Sequence, residues 1–182
     1  ATSTVSDDNM QNDAYTTTMT VASLYDNCDN LTGWTAGTEW GLSTDTALSM
    51  GSSCHVGNGQ SSSYSNNLAT SLTTPVMDMS DAVTNPSRTN GLSFYYTGSA
   101  ETNDRLKVQV KTVFGGWFDL ITVQGSVDQN FIDGQDYRTF TANDGGITSP
   151  LIPVPQELFH AQTQFRFLFE SDATLTDIGY YF

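Results

Sequence analysis

The chain has 182 residues and carries six Lys and Arg against 20 Asp and Glu, a formal net charge of −14 at pH 7. Such a surface repels phosphate backbones and anionic lipids, so the composition argues against nucleic-acid binding. No stretch of the chain approaches the roughly 20 apolar residues that a membrane-spanning helix needs. The length suits one domain with a two-layer core, and the charge favours solubility or the binding of divalent cations.

Residues 1–22 are predicted to form an N-terminal arm in front of the main domain, residues 23–182. The start of the arm is polar and acidic, which predicts flexibility. Residues 15–21 are a β-prone run and a candidate donor strand. The face that this run would present comprises Tyr15, Thr17, Met19 and Val21. The chain begins at Ala1 without an initiator Met or an apolar leader, as expected of a secreted product after signal cleavage or of a shortened chain.

Two features of the next segment predict an extracellular or cell-surface protein. Cys28 and Cys54 are an even pair in a Ser-, Thr- and Asn-rich acidic chain, which favours a disulfide formed in an oxidising compartment. The alternatives, two free thiols or half a metal site, lack the close spacing of zinc ligands. Asn30, Leu31 and Thr32 form an N-glycosylation sequon, which predicts a glycan on Asn30.

The clearest β pattern lies between Gly91 and Val123. Apolar and polar residues alternate from Leu106 to Val113, which is the period of a strand with one face in a core. Further strands are predicted at Leu92–Thr97 and Trp117–Val123, and the pair Gly115–Gly116 predicts a tight hairpin turn. The solvent-facing side of the central strand is predicted to comprise Lys107, Gln109 and Lys111.

A second strong alternation runs from Gln164 to Glu170 and predicts a strand that buries three phenylalanines. Weaker strand signals occur at Cys54–Gly57 and Leu68–Met79, and a last strand is expected over Ile178–Phe182. No window carries a long helical period; only a short helix or turn is expected around Asp78–Asp81. Together these patterns predict an all-β fold, an antiparallel β-sandwich.

The acidic turns offer a possible structural calcium site, although no cofactor is certain. Four Asp and Asn side chains fall within nine residues, a density that suits a hard cation. They are Asp128, Asn130, Asp133 and Asp136. The spacing is not that of an EF-hand loop, and solvated turn residues are the alternative, since Asp and Asn favour turns for backbone reasons. Asp26, Asp29 and Asp104 are further candidate ligands.

Four aromatic residues are candidates for ligand binding. Core or rim packing is the alternative explanation, because aromatic side chains dominate both settings. The four are Trp34, Trp40, Tyr64 and Trp117. Catalytic motifs are nearly absent: the only histidines are His55 and His160, and no nucleophile elbow, zinc-binding helix or phosphate loop occurs. A carboxylate pair for glycoside hydrolysis stays open, but the prediction is a non-catalytic protein.

Six segments then occur in a characteristic order. They are Leu24–Trp34 with Glu39–Trp40, Asn67–Ser80, Gly91–Tyr96, Asp104–Val108, Gly115–Leu120, and Phe165–Phe169 with Gly179–Phe182. The series resembles the MAM-like jelly-roll modules of secreted bacterial and archaeal surface proteins and proteases. The resemblance covers residues 24–182 and implies a non-catalytic jelly roll, often with structural calcium. In that family the last strand continues through an Asp-Asp pair, whereas this chain stops at Phe182, which leaves the calcium-linked Asp of that strand missing.

Two functions are therefore expected, in this order. The first is a structural subunit that polymerises head-to-tail into a surface fibre or filament, with residues 15–21 of one copy completing the sheet beside Phe182 of the next. The alternative is an adhesion or accessory module that binds a glycan or a protein for a secreted enzyme. It is equally open whether residues 15–21 instead fold back as an edge strand of their own domain.

Overall fold

In the computed structural model the chain is described over residues 26–45, 51–58, 62–84, 90–94, 96–124, 131–132 and 152–182. These residues form β-strands, one short α-helix and a 3-10 turn at Gln156–Leu158. The elements are β1 Thr35–Ala36, β2 Trp40–Ser43, β3 Ser53–Val56, β4 Ala69–Thr73, α1 Ser80–Thr84, β5 Gly91–Leu92, β6 Thr97–Ser99, β7 Arg105–Lys111, β8 Trp117–Gln124, β9 Phe131–Ile132, β10 Ile152–Pro153, β11 Phe165–Glu170 and β12 Gly179–Tyr181. Among these described residues, no helix has the length and apolar character that crossing a membrane would require.

The strands form two main antiparallel sheets. One has six strands in the order β1-β4-β11-β7-β8-β9, and the other has four in the order β2-β3-β12-β6. Strands β10 and β5 make a small third sheet. The predicted all-β class is confirmed, and the two sheets pack face to face as in a sandwich. The jelly-roll connection order stays an expectation.

The predicted central hairpin is present as β7 and β8. Its register pairs Lys111 with Trp117 and Leu106 with Val123, with a bulge between Val108 and Gln109. The turn is longer than the two glycines alone, because the N–H of Thr112 donates to the carbonyl of Gly116 and encloses five residues. Gly115 has a φ of 85°, which a glycine adopts without a side-chain clash.

The strand expected over Leu92–Thr97 is split into two. Its first part, β5, pairs with β10, and its second part, β6, pairs with β12 in the four-stranded sheet. The chain therefore passes from one sheet to another between them. At the second contact Gly98 has a φ of 125°, and a Cβ there would clash with the carbonyl oxygen of Gly179. Only glycine allows the two backbones to approach this closely.

The core lies between the two main sheets and is rich in aromatic rings. Phe167 and Phe169 of β11 point inward, and each is at most 6% exposed. The ring centroids of Phe167 and Phe182 are 4.6 Å apart, and those of Phe169 and Tyr180 are 6.2 Å apart. Burying one such side chain stabilises the fold by about 1.5–3 kcal/mol, so these cross-sheet contacts hold the layers together.

The predicted disulfide joins Cys28 to Cys54, with Cα atoms 5.4 Å apart. It ties the loop before β1 to strand β3, and both cysteines are buried. The residues are separated by 26 positions, and closing a loop of that length stabilises the fold by about 3 kcal/mol through the entropy of the unfolded chain. The disulfide therefore fixes the loop over residues 26–34, in which the structure describes no strand.

Candidate functional site

Both histidines are held by backbone hydrogen bonds in separate parts of the fold. His55 is buried in β3, donates from Nε2 to the carbonyl oxygen of Ile178 at 2.7 Å, and stacks on Tyr181. Burial lowers its pKa, so the ring is neutral at pH 7. His160 donates from Nε2 to the carbonyl of Lys111 and accepts at Nδ1 from the N–H of Gln162. These contacts give both rings a structural role.

The four candidate aromatic residues separate into two kinds. Trp40 is 7% exposed and Tyr64 is 1% exposed, so neither presents a ring face to a ligand and their predicted role is replaced by core packing. Trp34 is half-buried and its indole N–H donates to Asp26 at 3.0 Å. Trp117 begins β8 on the outer face of the six-stranded sheet. Trp117 is therefore the one of the four that lies on an open sheet surface.

The outer face of this sheet follows from the alternation of its strands. In β11 the phenylalanines point inward, so Arg166, Leu168 and Glu170 point outward. In β7 Val108 and Val110 point inward, which turns the intervening side chains to the same outer face. The register places Arg166 beside Gln109, and Gln109 beside Asp119. Three strands thus contribute side chains to one row.

A connected group of side chains surrounds Trp117. The guanidinium carbon of Arg166 lies 4.3 Å from the centroid of the Trp117 ring, a cation–π contact. The Nε of Arg166 donates to Gln109, whose amide donates in turn to Asp119. Beside them, the ammonium of Lys111 donates to Gln164 at 2.9 Å. We call this group the Trp117 patch: Gln109, Lys111, Trp117, Asp119, Gln164 and Arg166.

Gln109 departs from its expected exposure. It was predicted on the solvent-facing side of β7, and it does point to the outer face, but it is only 5% exposed. The side chains of Arg166 and Trp117 reach across β7 from the two neighbouring strands and cover it. Its amide is satisfied by Arg166 and Asp119, which removes the cost of burying it.

Positive charge is concentrated on this face. Every Lys and Arg among the described residues projects from it: Arg105, Lys107, Lys111 and Arg166. Within its described strands the face carries only two carboxylates, Asp119 and Glu170. Burial raises the pKa of Glu170, but the hydrogen bonds from Lys107 and Arg105 outweigh it and hold that pKa below its ordinary value. A strongly acidic chain therefore has one sheet face with excess positive charge.

A cluster of carboxylates lies elsewhere, at one end of the sandwich. Glu101, Asp104 and Asp172 each place a carboxylate oxygen within 4.8 Å of the others, an arrangement that could hold a hard cation. Asp104 is fully buried, and its carboxylate accepts from the Tyr64 hydroxyl and from the N–H of Asp172. The same hydroxyl accepts from the N–H of Glu101 at 2.8 Å. Protein donors thus already satisfy the buried carboxylate.

Several predicted features lie outside the described residues. They are the candidate donor strand with Tyr15, Thr17, Met19 and Val21, and the candidate calcium ligands Asp128, Asn130, Asp133 and Asp136. The predicted open edge beside Phe182 is not found among the described residues, because β12 pairs with β3 on one side and with β6 on the other, and the N–H and carbonyl of Phe182 are both bonded to Cys54. Strand donation at another edge stays a prediction. Asn30 is described: its side chain is exposed, and its Oδ1 accepts from the N–H of Thr32 at 2.9 Å.

Sequence reasoning missed most of the Trp117 patch. Trp117 was a candidate, and Lys111 was placed on the correct face, but Arg166, Asp119 and Gln164 were not linked to it. The signal available in the sequence is the second alternation, since buried phenylalanines at 165 and 167 force residue 166 outward. Which strand lies next to β11 is a non-local property that the alternation does not contain.

The hydroxyl of Tyr64 bridges the buried carboxylate of Asp104 and the partly buried N–H of Glu101, so we expect Tyr64→Phe to lower the free energy of unfolding at pH 7 by about 1–3 kcal/mol. Burial, and then the bond to Asp104, raise the pKa of Tyr64. Its contribution is therefore complete below pH ~10, the ordinary tyrosine value, and is lost as pH rises above it. Denaturant unfolding should show that the difference in free energy of unfolding between wild type and variant is smaller above pH ~10 than at pH 7.

Tyr180→Phe is the matched control, because no described hydrogen bond joins the hydroxyl of this buried tyrosine to a carboxylate. Tyr180→Phe should lower the free energy of unfolding at pH 7 by less than Tyr64→Phe does. If Tyr64→Phe unfolds at the same denaturant concentration as wild type, the bridge to Asp104 does not support the fold.

Comparison with known proteins gives no further guide to function. A scan of the chain against protein-family models finds no match, and neither does a search of the curated proteins. The resemblance to MAM-like modules thus stays an expectation.

Proposed function

We propose that this chain is a non-catalytic extracellular binding module that holds a polysaccharide on the outer face of its six-stranded sheet. The observation that carries the proposal is the Trp117 patch, an aromatic ring set among amide and charged side chains on the outer face of the sheet. An indole ring offers an apolar face to the C–H groups of a sugar, and the surrounding groups can bond its hydroxyls.

The composition of the face favours a sugar over a protein partner. Among the described residues, none of the large hydrophobic side chains that are exposed lies on this face. They are Leu42, Val76, Val83, Val113, Phe114, Phe118, Leu175 and Ile178. The side chains on β4 that share the face are Ala69, Ser71 and Thr73, and two of them offer hydroxyl groups. Leu168 and Trp117 are half-buried on this face and are surrounded by charged and polar groups, whereas the centre of a standard protein interface is depleted of charged residues.

The extracellular location rests on the covalent chemistry of the chain. A disulfide between Cys28 and Cys54 persists in oxidising compartments and is rare in the cytosol. The exposed Asn30 sequon is compatible with a glycan on the same surface loop. Both features support a secreted or surface-attached glycoprotein.

Trp117→Ala should weaken polysaccharide binding by about tenfold or more, because it removes the ring that would stack on the sugar. The measurement is affinity electrophoresis of the whole chain through gels that contain one soluble polysaccharide each, from a panel of neutral and acidic chains. Trp34→Ala is the control: it removes an equal ring that lies outside the Trp117 patch, beside the edge strand β1 and partly against the core, and should leave binding unchanged. Failure of wild type to bind any member of the panel would contradict the proposal.

The second proposal is self-assembly into a fibre or filament, with residues 15–21 of one copy donated to a sheet of the next. It is favoured by the edges of the four-stranded sheet, because β2 and β6 each pair on one side only among the described residues. An edge with unpaired N–H and carbonyl groups is a template for another strand. Donor and acceptor would lie on different surfaces, so the contact would be head-to-tail and open-ended.

Deleting residues 1–22 should then abolish polymers and leave a folded monomer, as seen by size-exclusion chromatography and negative-stain imaging. The matched control replaces residues 1–14 alone with a Gly- and Ser-rich segment of equal length, which keeps the candidate strand and should keep the polymers. Filaments that persist without residues 1–22 would overturn strand donation.

A further inference from the structure

The four cations of the outer sheet face are of two kinds. Arg105 and Lys107 both bond to Glu170, at 2.8 and 3.0 Å. Lys111 and Arg166, in contrast, form no ion pair with any carboxylate among the described residues. The two cations of this face that form no described ion pair are therefore both in the Trp117 patch.

The guanidinium of Arg166 is positioned and partly desolvated. One edge donates from Nε to Gln109, and the group lies over the ring of Trp117. Burial lowers the pKa of Arg166, but the guanidinium remains charged at any ordinary pH. The negative charge of Asp119 raises the same pKa, although its carboxylate is not within ion-pair distance of Arg166. A guanidinium presents five N–H donors, and Nε supplies only one of them. The terminal nitrogens of Arg166 make no hydrogen bond to another described residue.

Lys111 and Arg166 are close enough to act together. Gln109 lies opposite Arg166 in the register, and Lys111 is two residues further along the same strand and the same face. Such diagonal neighbours are about 7–8 Å apart, within reach of long side chains. Trp117 lies directly opposite Lys111 on the other side. The ring and the two cations therefore surround one small area of the sheet.

We propose that the ligand of this face is an anionic polysaccharide, whose carboxylate or sulfate groups bind between Lys111 and Arg166 while a sugar ring packs against Trp117. This inference rests on the proposed function and specifies its ligand class. The amide of Gln164, already held by Lys111, and the buried amide of Gln109 keep the two cations in place. A planar guanidinium binds a carboxylate or sulfate through two parallel hydrogen bonds.

The net charge of −14 determines how such a ligand is bound. The rest of the chain repels a polyanion at long range. At physiological ionic strength, salt screens this repulsion between charges that are more than about 8–10 Å apart. The contacts of Lys111 and Arg166 act at short range and are partly buried, so screening affects them less.

The test compares polygalacturonate with its highly methyl-esterified form, in which the same sugar backbone has lost its charge. A second comparison, of dextran sulfate with unmodified dextran, tests sulfate groups in the same way. Binding of the whole chain is measured by isothermal titration calorimetry in moderate salt. We expect a charged polysaccharide to bind at least about tenfold more tightly than its uncharged counterpart, since one ion pair of this kind contributes on that scale.

The double variant Lys111→Gln, Arg166→Gln should lose about tenfold or more of this affinity. Arg105→Gln, Lys107→Gln changes the net charge by the same amount on the same face but removes only cations already paired with Glu170, so it should lose much less. Lys111→Gln alone, which leaves the packing of Arg166 on Trp117 intact, keeps the test valid if the double variant fails to fold.

The outcomes separate the two proposals. If the uncharged chains bind as well as the charged ones, the anionic ligand is excluded while polysaccharide binding stands. If no polysaccharide binds at all, the proposed function itself fails. If both double variants lose affinity equally, binding reflects general charge on the sheet face and the assignment to Lys111 and Arg166 is wrong. Binding to polygalacturonate alone or to dextran sulfate alone would support the inference and identify the anionic group.

Discussion

The structure depends on the alternation of a single strand, β11. Its inward residues Phe165, Phe167 and Phe169 are each at most 6% exposed. Phe167 reaches the opposite sheet through Phe182, and Phe169 reaches it through Tyr180. The outward residues of β11 carry charge, and this strand pairs with both β4 and β7. A slip of one residue in its register would expose the rings and bury the charges, so the core and the outer face are fixed by the same pairing.

This coupling gives a physical reason for the charge distribution. The chain has a net charge of −14 and few cations. All of its described Lys and Arg residues lie on the outer face of the six-stranded sheet. Some of them neutralise Glu170, which stabilises the sheet itself by a modest amount. Lys111 and Arg166 are held instead by amides and an aromatic ring. That difference within one face is the basis on which we propose a binding role for Lys111 and Arg166 and a structural role for Arg105 and Lys107.

The sequence was sufficient to predict the strands with strong alternation, and therefore the faces of those strands on which Lys111 and Arg166 lie. It was insufficient for contacts between strands distant in sequence: Gln109 was expected in solvent, but Arg166 and Trp117 cover it once β11, β7 and β8 are adjacent. Trp40 and Tyr64 looked as suitable for a ligand as Trp117 did, because aromatic composition does not distinguish core from surface. The disulfide was predictable, since Cys28 and Cys54 had no other partner among the cysteines.

The most direct test of the account is a nuclear magnetic resonance titration of the whole chain with a short oligogalacturonate. The side-chain N–H signals of Trp117 and Arg166 report on the two groups that the ligand should contact. The account predicts saturable shifts of both signals and of backbone amides in β7, β8 and β11, with the indole signal of Trp34 unchanged. Shifts that concentrate at Trp34 or on the four-stranded sheet, or no saturable shift with either this ligand or a short sulfated dextran, would contradict it.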